Sequence, residues 1–168
     1  DEPPMGSILR IFQVPRYGGD TLFSSMYAAY DGLSEPMRDF LNGLTAIHDG
    51  TPYYTSVNRK IGRDDGGKGY PRSEHPVIRT HPETGKKGIF VNEIFTDHIL
   101  GLKKTESDLL LNFLFDHVKK PEYQCRFQWK KNSIAFWDNR CTQHLAMWDY
   151  WPQVRSGYRV TVKGDRPF

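Results

Sequence analysis

A series of short strand-like segments, separated by turns, constrains the fold of this sequence more than any other feature. Glycine, proline or polar residues bound the segments, as in the turns at residues 83–86 and 131–133. Because few helical patterns accompany them, the sequence favours a β-sandwich or a jelly-roll over a parallel α/β sheet. The predicted strands are residues 7–14, 77–80, 88–91, 124–129, 134–137 and 158–162.

Two clear helical patterns and one shorter pattern flank these strands. Ser34 is a suitable N-cap for a helix with Pro36 in its first turn and apolar residues at helical spacing. Thr105 is the expected cap of the longest helix, residues 106–119, which ends in lysines. Residues 24–30 carry helix formers and predict a short helix. The fold class is therefore mainly β with flanking helices.

The length of 168 residues suits a single domain that covers the whole sequence. Hydrophobic residues make up 38% and aromatic residues 14%, which is enough for a core and argues against disorder. Residues 49–74 are polar and rich in glycine, proline, aspartate and lysine. We predict that they form a mobile insertion, for which a lid is one use.

Charge, hydropathy and cysteine content exclude several classes of protein. The net charge is only +3 and the lysine pairs lie on separate elements, which is not the clustered stripe of a nucleic-acid binder. No apolar run approaches the ~20 residues of a membrane span. Cys125 and Cys141 do not make a disulfide framework, and reduced, buried thiols are expected. We predict a cytosolic protein.

The residues best suited to chemistry lie near the C-terminus. Residues 137–144 read Trp-Asp-Asn-Arg-Cys-Thr-Gln-His, and Arg155 and Arg159 follow. A neutral imidazole can bind a metal ion, and each planar guanidinium can bind a carboxylate or sulfonate through two hydrogen bonds. Upstream, Gly18-Gly19-Asp20-Thr21 forms a turn after the first predicted strand.

These two motifs resemble those of the taurine dioxygenase family of Fe(II)- and 2-oxoglutarate-dependent oxygenases, and the resemblance covers residues 3–168. It implies a double-stranded β-helix, which is a jelly-roll, with helices packed outside. It also implies Fe(II) as the cofactor, with 2-oxoglutarate and O2 as cosubstrates. In such sites two histidines and one carboxylate bind the iron and leave positions open for a 2-oxo acid and O2.

The resemblance implies roles for five residues. His144 matches a histidine ligand of the iron, Arg155 matches the arginine that binds the far carboxylate of 2-oxoglutarate, and Thr21 matches the hydroxyl that shares this carboxylate. Arg159 matches the arginine that binds the acidic group of the substrate, with a structural salt bridge as the alternative. Phe95 matches an aromatic wall of the substrate pocket, with core packing as an equal alternative.

The spacing of the two arginines leads to a geometric expectation. Four residues on one continuous strand would put both side chains on the same face, roughly 13 Å apart along the chain. This spacing would allow Arg155 and Arg159 to hold two anions on either side of an iron. The expectation assumes that the strand runs through Ser156 and Gly157 without a bulge.

The family's first histidine and its carboxylate, a His-x-Asp motif, would align a few residues before residue 1. We therefore expect that the N-terminal third of the family pattern is absent and that the fold is incomplete at its N-terminal edge. His81-Pro82-Glu83 follows the Gly-Gly-Asp-Thr turn, so it is not expected to replace this motif. A paralogue that has lost its metal, or ligands supplied by another chain, are the alternatives.

The function implied by the resemblance is hydroxylation of a small anionic organic substrate next to a heteroatom, with release of succinate and CO2. Organosulfonates, alkyl sulfates and aryloxyalkanoates all fit, and a homo-oligomer is compatible with this function. No nucleic-acid or membrane partner is expected. Two other classes stay open: a non-catalytic jelly-roll binding protein that has lost its iron site, and a cupin-type binder, which needs neither the arginine pair nor Thr21.

Overall fold

The computed structural model of the protein describes residues 1–64, 66–67 and 69–168. Most of its regular structure is antiparallel β-sheet, with helices between the strands. The elements in chain order are β1 (Gly6–Gln13), β2 (Thr21–Ser25), α1 (Met26–Asp31), α2 (Glu35–Leu41), β3 (Thr45–Asp49), α3 (Thr51–Lys60), β4 (Arg72–Pro76), β5 (Ile78–Thr80), β6 (Lys87–Ile89), β7 (Thr96–Ile99), α4 (Lys104–His117), a short 3-10 helix (Pro121–Tyr123), β8 (Gln124–Phe127), β9 (Ile134–Asp138), β10 (Thr142–Ala146) and β11 (Ser156–Val162).

The first sheet has the strand order β11–β1–β9, and β1 is paired on both sides. Leu9 lies opposite Arg159 on one side and Ala135 on the other, while Ser7 lies opposite Trp137. Because side chains alternate between the two faces of a strand, Leu9, Arg159 and Trp137 share one face. The opposite face exposes five large apolar side chains, namely Phe12, Ile134, Phe136, Tyr158 and Val160.

The second sheet has the order β10–β2–β8, again antiparallel. Phe23 of β2 lies opposite His144 on one side and Cys125 on the other. The Phe23 ring centre lies 5.3 Å from that of Trp137 in the first sheet. The two sheets therefore face each other through the side that carries Trp137 and the side that carries His144.

The remaining strands form a sheet of order β4–β3–β7 and a hairpin of β5 with β6. Helix α1 packs on β6, and helix α4 packs on β7. Burial of apolar side chains between these elements is the main stabilising contribution to such a core. Its most buried members are Met26, Ala29, Leu41, Ala46, Val77, Ile89, Val91, Ile99, Leu111 and Leu114.

The six predicted strands are confirmed, with ends that shift by one to a few residues, as β1, β5, β6, β8, β9 and β11. The mainly β fold class with flanking helices is confirmed as well. Five strands were not predicted. They are β2, β3, β4, β7 and β10.

The two longer predicted helices are confirmed as α2 and α4, but the predicted cap of α4 is wrong. The helix begins at Lys104 and its N-cap is Lys103, so Thr105 already lies in the first turn. The Glu106 carboxylate accepts a hydrogen bond of 2.9 Å from the Lys103 amide. This bond satisfies one of the N–H groups that a helix start leaves free, without a Thr105 cap.

The short helix predicted at residues 24–30 begins later, because Ser24 belongs to β2. Ser25 is the N-cap of α1, and its hydroxyl oxygen accepts a hydrogen bond of 3.2 Å from the Ala28 amide. Ser24 is buried instead, and its hydroxyl donates to the Val118 carbonyl at 2.7 Å. Tertiary contacts therefore outweigh the local helix preference at this position.

Residues 49–74, predicted as a mobile insertion, contain helix α3 and most of strand β4. Tyr54 on α3 stacks on Tyr70, with ring centres 5.1 Å apart. Residues 65 and 68 of the segment lie outside the described part of the chain. The segment therefore has regular structure at both ends, and its mobility stays a prediction.

Both cysteines are unpaired, as expected, but the expectation that they are buried is wrong for Cys125. Cys125 is exposed because β8 is an edge strand of its sheet, while Cys141 is half-buried. Within residues 1–64, 66–67 and 69–168, no helix is long and apolar enough to cross a membrane.

Candidate active site

His144 lies in the middle of β10, and two aromatic rings surround it. The imidazole centre is 4.9 Å from the Trp137 ring and 6.1 Å from the Phe23 ring. Its remaining side is open and lines a cavity of about 610 Å³. The strand pairing of β10 with β2 therefore places one imidazole at the wall of a large cavity.

Two effects lower the pKa of His144 from its usual value. Burial against the neighbouring rings is the larger effect, and the positive charge of Arg159 is the second. Both disfavour the imidazolium form, so the ring is neutral at pH 7. A neutral imidazole keeps a nitrogen lone pair that can bind a metal ion.

Thr21 begins β2 and is only 2% exposed. Its hydroxyl oxygen accepts a hydrogen bond of 2.9 Å from the indole Nε1 of Trp129. Thr21 is two residues from Phe23, which lies opposite His144. Because strand residues two apart share a face, Thr21 and His144 are on the same side of the second sheet.

The turn before β2 needs glycine at two positions. Gly18 and Gly19 have φ angles of 69° and 72°, and a Cβ on Gly18 would lie 2.6 Å from an Asp149 carboxylate oxygen. That carboxylate accepts a hydrogen bond of 2.8 Å from the Gly19 amide, which lowers the pKa of Asp149. Arg155 donates to the Gly19 carbonyl. The turn therefore brings the Arg155 guanidinium to the start of β2, close to Thr21.

Arg155 lies immediately before β11, and β11 runs through Ser156 and Gly157 without an extra residue, so the expected spacing of Arg155 and Arg159 along one face stays a prediction. The pairing of β11 with β1 shifts its register between Ile11 and Gln13. Gly157 packs so closely on the Arg10 carbonyl that any Cβ there would overlap it. The Arg155 side chain lies beside the Gly19 turn, where it donates to the Gly19 carbonyl.

Arg159 is exposed and lies opposite Leu9, on the face of the first sheet that also carries Trp137. Its charge acts on the imidazole of His144. Among the described residues, no salt bridge within 4.0 Å is found for Arg159. The structural salt bridge considered as its alternative role is therefore not formed with these residues.

Phe95 lines the same cavity as His144. It follows a turn in which the Asn92 side chain accepts hydrogen bonds from the amides of Ile94 and Phe95, at 3.2 and 2.9 Å. The Phe95 ring contacts Tyr54 of α3 at 6.0 Å, and Tyr54 also lines the cavity. Sequence reasoning missed Tyr54, although a tyrosine pair in an otherwise polar segment was a visible signal.

The predicted site residues thus lie in three places. His144 and Phe95 share the cavity, whereas Thr21 and Arg155 lie around the Gly19 turn and do not line it. Arg159 also lies outside the cavity lining, on the neighbouring sheet.

Two further histidines line the cavity and were not predicted. His48 and His75 lie ring against ring, with centres 5.1 Å apart. Burial is the main reason that the pKa of each falls from 6.5 to about 4. The imidazole of His75 also lowers the pKa of His48, and nearby positive charges also lower the pKa of His75. Both rings are therefore neutral at pH 7. Their sequence positions, on strands that were not predicted, gave no sign of this pairing.

The acidic and basic residues of the run 137–144 form an ion network at the turn between β9 and β10. Arg140 donates to Asp138 at 2.7 Å and to Glu83 at 2.9 Å, and His81 lies 3.1 Å from Asp138. Burial acts to raise the pKa of Asp138, but the bonds from Arg140 and His81 outweigh it and lower this pKa to about 2. The network fixes the turn that leads into the strand of His144.

His81, Asp138 and Cys141 form a group in which three possible metal ligands lie within 4.8 Å of one another. The Nδ1 atom of His81 accepts hydrogen bonds of 3.3 Å from the amides of Glu83 and Thr84. The ring proton is therefore on Nε2, where it faces Asp138. In this tautomer both ring nitrogens of His81 are engaged in hydrogen bonds. That His81 does not replace the missing ligands stays a prediction.

Comparisons with known proteins find relatives over nearly the whole chain. The family profile of the taurine catabolism dioxygenases TauD and TfdA matches residues 1–161. An alpha-ketoglutarate-dependent sulfonate dioxygenase of Saccharomyces cerevisiae is 36% identical, over 99% of this chain and 40% of its own length. An alpha-ketoglutarate-dependent sulfate ester dioxygenase of Pseudomonas putida is also 36% identical, over 98% of this chain and 56% of its own.

The crystal structure of a taurine dioxygenase from Burkholderia xenovorans has the same fold over 99% of this chain and 54% of that chain, with a TM-score of 0.84 and 38% sequence identity. The chain thus spans about half the length of the curated relatives it matches. The matched region contains the Gly-Gly-Asp-Thr turn, His144 and both arginines. The chain belongs to the TauD/TfdA family of taurine catabolism dioxygenases.

Proposed function

We propose that the protein uses Fe(II), 2-oxoglutarate and O2 to hydroxylate a small anionic organic substrate next to a heteroatom, with release of succinate and CO2. The observation that carries the proposal is the neutral His144 on the same side of its sheet as Thr21, with Arg155 at the Gly19 turn beside it. This arrangement offers a metal ligand at one point and two groups that bind a carboxylate a short distance away.

The donor chemistry fits one position of an iron site. His144 offers a neutral imidazole that is open on one side. In the described part of the chain, no second histidine or carboxylate forms a group of three ligands with it. The proposal therefore requires two further ligands from outside the described residues. When bound, Fe(II) would supply the activation of O2 that protein side chains cannot provide.

In this proposal Arg155 and Thr21 bind the far carboxylate of 2-oxoglutarate. A guanidinium gives this anion charge-assisted hydrogen bonds, and a threonine hydroxyl adds one donor. The position of Arg155 is supported by its bond to the Gly19 carbonyl, which uses one of its five N–H groups and leaves others for a ligand. The burial of Thr21 keeps water away from the bond that it would make.

Arg159 would bind the anionic group of the substrate, and Phe95 with Tyr54 would form an apolar wall. Arg159 is exposed, and its charge already acts on His144, so a bound anion would lie near the metal ligand. Relatives of similar identity are named for sulfonate and sulfate ester substrates. We therefore place organosulfonates and alkyl sulfates first, with aryloxyalkanoates as the second class.

The proposal also covers the fold, a lid over the cavity, the cellular location and the oligomeric state. The facing sheets β11–β1–β9 and β10–β2–β8 are those expected of a jelly-roll in a single domain, and residues 49–74 would move over the cavity as a lid. The unpaired cysteines support a cytosolic location. Homo-oligomerisation stays a prediction.

The test is formation of succinate from 2-oxoglutarate by the full-length protein with Fe(II) and each of the three substrate classes. His144→Ala should abolish succinate formation, whereas His98→Ala, at a half-exposed position beside Asp97, should not change it. If the wild-type protein binds a sulfonate or sulfate but forms no succinate under any condition, the alternative of a non-catalytic binding protein is correct.

A further inference from the structure

Trp129 is a buried residue to which the motifs assign no role. It is 6% exposed, and its indole N–H donates the hydrogen bond of 2.9 Å to the Thr21 hydroxyl oxygen. Its ring packs edge-on against Phe127, with centres 4.7 Å apart. Phe127 lies directly opposite Thr21 in the pairing of β8 with β2. Strand pairing and ring packing therefore both hold the indole at the Thr21 hydroxyl.

The turn that follows Trp129 is fixed to the first sheet. Asn132 has a left-handed φ of 68°, and its amide donates to the Ile11 carbonyl at 2.7 Å. The Ser133 carbonyl accepts from the Ile11 amide at 3.1 Å, and the Ser133 hydroxyl accepts from the Lys130 amide at 3.0 Å. These bonds anchor the chain immediately after Trp129, so the indole has little freedom to move away from Thr21.

The direction of this hydrogen bond determines what Thr21 can do. A hydroxyl has one hydrogen to donate and two lone pairs, while an indole N–H only donates. The bond from Trp129 therefore occupies a lone pair of Thr21 and leaves its hydrogen pointing elsewhere. At 2% exposure, few water molecules compete for that hydrogen.

We infer that Trp129 is a positioning residue for the cosubstrate: it holds Thr21 as a hydrogen-bond donor toward the far carboxylate of 2-oxoglutarate. The inference rests on the role of Thr21 in the proposed function. A carboxylate only accepts hydrogen bonds, so a hydroxyl whose free hydrogen is fixed is a matched partner. Donation by Trp129 also polarises the hydroxyl and strengthens the bond that it makes.

The position of Thr21 along its strand agrees with this inference. It is two residues, roughly 7 Å, from Phe23, which lies opposite His144. A five-carbon dicarboxylate held at one end beside His144 has its other carboxylate at about this separation. Trp129 follows the end of β8 by two residues and is not part of the cavity lining. It therefore acts through Thr21 and need not touch the ligand.

The experiment compares Trp129→Phe with wild type in the full-length, metal-loaded protein. The probe is N-oxalylglycine, a 2-oxoglutarate analogue that keeps both carboxylates, and its binding is measured by calorimetry. The variant keeps a buried ring but loses the N–H group, so the affinity should fall about fivefold, the effect of one neutral hydrogen bond. Trp148→Phe is the matched control, because Trp148 is 80% exposed, and it should bind as wild type does.

A second probe separates positioning from general support of the fold. 2-Oxobutyrate lacks the far carboxylate, so its binding should be the same in Trp129→Phe and wild type. An equal loss of affinity for both probes would mean that Trp129 only stabilises the fold, and it would overturn the inference. In a Thr21→Val background, Trp129→Phe should cause no further loss for N-oxalylglycine, and additive losses would overturn it too.

The outcomes for Thr21 and Trp129 are distinguishable. If Thr21→Val weakens N-oxalylglycine binding and Trp129→Phe does not, the inference fails while the proposed function stands. If Thr21→Val has no effect, the proposed function of Thr21 fails. If Trp129→Phe does not fold, hydrogen exchange of the Trp129 indole N–H tests the inference without that variant. The exchange should be slow in wild type and faster in Thr21→Val, and equal rates would overturn the inference.

Discussion

The guanidinium groups of Arg155 and Arg159 have different neighbours, although only four residues separate them in sequence. Arg155 is bound to the Gly19 carbonyl at the start of β2, and its guanidinium also lies 5.8 Å from the Tyr150 ring centre. Arg159 projects from the first sheet on the Trp137 side, where its charge lowers the pKa of His144. We therefore expect the two arginines to serve different anions.

Arg155→Ala in the full-length protein should raise the 2-oxoglutarate concentration needed for half-maximal succinate formation. A lost charge-assisted bond to an anion costs ~1.5–3 kcal/mol, which is roughly tenfold or more in binding. A 2-oxoglutarate titration measures the effect. Arg16→Ala is the matched control, because Arg16 is an exposed arginine. An unchanged titration for Arg155→Ala would rule out its assignment.

Arg159→Leu should abolish substrate-dependent turnover and leave the slow, uncoupled decarboxylation of 2-oxoglutarate largely intact. The reason is that only the substrate anion depends on Arg159, whereas the cosubstrate depends on Arg155. Arg155→Leu should lose both reactions. Succinate formation is measured for each variant with and without an organosulfonate or aryloxy acid. Equal loss of the uncoupled reaction in both variants would contradict this division of roles.

The chemistry of single residues was easier to predict than their surroundings. The motif predicted His144, and the structure gives it a neutral imidazole at a cavity wall. The close approach of Gly157 to the Arg10 carbonyl, which accompanies the irregular pairing near Arg155, depends on a contact between distant strands. The Trp129 donor to Thr21 is likewise a contact across 108 positions of sequence. No local pattern predicts such contacts.

Among the secondary-structure elements, those with strong local signals were predicted and those that depend on partners were missed. Helix α4 and strand β1 have clear apolar patterns. Strand β3, in contrast, carries His48 and Asp49 and is stabilised because β4 and β7 pair with it on both sides. β-propensity reflects such packing more than the residue itself, so polar central strands are hard to recognise.

The sheet of β3 and β4 should make the protein sensitive to mild acid. The pKa values of His48 and His75 are about 4 when folded and near 6.5 when unfolded, so unfolding takes up protons between these values. The stabilisation is complete above pH 6.5 and is lost as the pH falls toward 4. One pKa unit corresponds to about 1.4 kcal/mol, so the loss is on the order of 2 kcal/mol per histidine after allowing for partial exposure.

Urea unfolding of the full-length protein at a series of pH values measures this loss. His75→Gln removes one titrating group and should flatten the decline in unfolding free energy between pH 6.5 and 4. His98→Gln, at a half-exposed position, should keep the wild-type decline. A slope that is identical in all three proteins would show that His75 does not titrate as its burial indicates.

For the molecule as a whole, the family and the mainly β fold could be predicted from sequence. The arrangement of four separate sheets could not, because strand order depends on pairings such as β1 with β11, which join the two ends of the chain. The cavity that contains His48, His75 and Tyr54 arises only when these distant elements meet.

These 168 residues expressed alone should bind Fe(II) weakly and should not turn over 2-oxoglutarate. One imidazole of the three ligands that an iron site of this type uses cannot hold a labile divalent ion well. Metal titration and succinate formation test this, with the full-length protein as the positive control. Succinate formation by the 168 residues alone would show that a complete metal site exists within them.

The apolar outer face of the β11–β1–β9 sheet should make the isolated chain prone to self-association. A net charge of +3 gives weak repulsion between molecules, and salt screens even that. Sulfate also strengthens apolar association. Light scattering should therefore rise with ammonium sulfate well before the chain unfolds, and Val160→Lys, at an exposed position on an edge strand, should delay the rise. Scattering that is equally low at all salt concentrations would contradict the predicted self-association. The practical consequence is that the isolated chain should be stored dilute and in low-salt buffer.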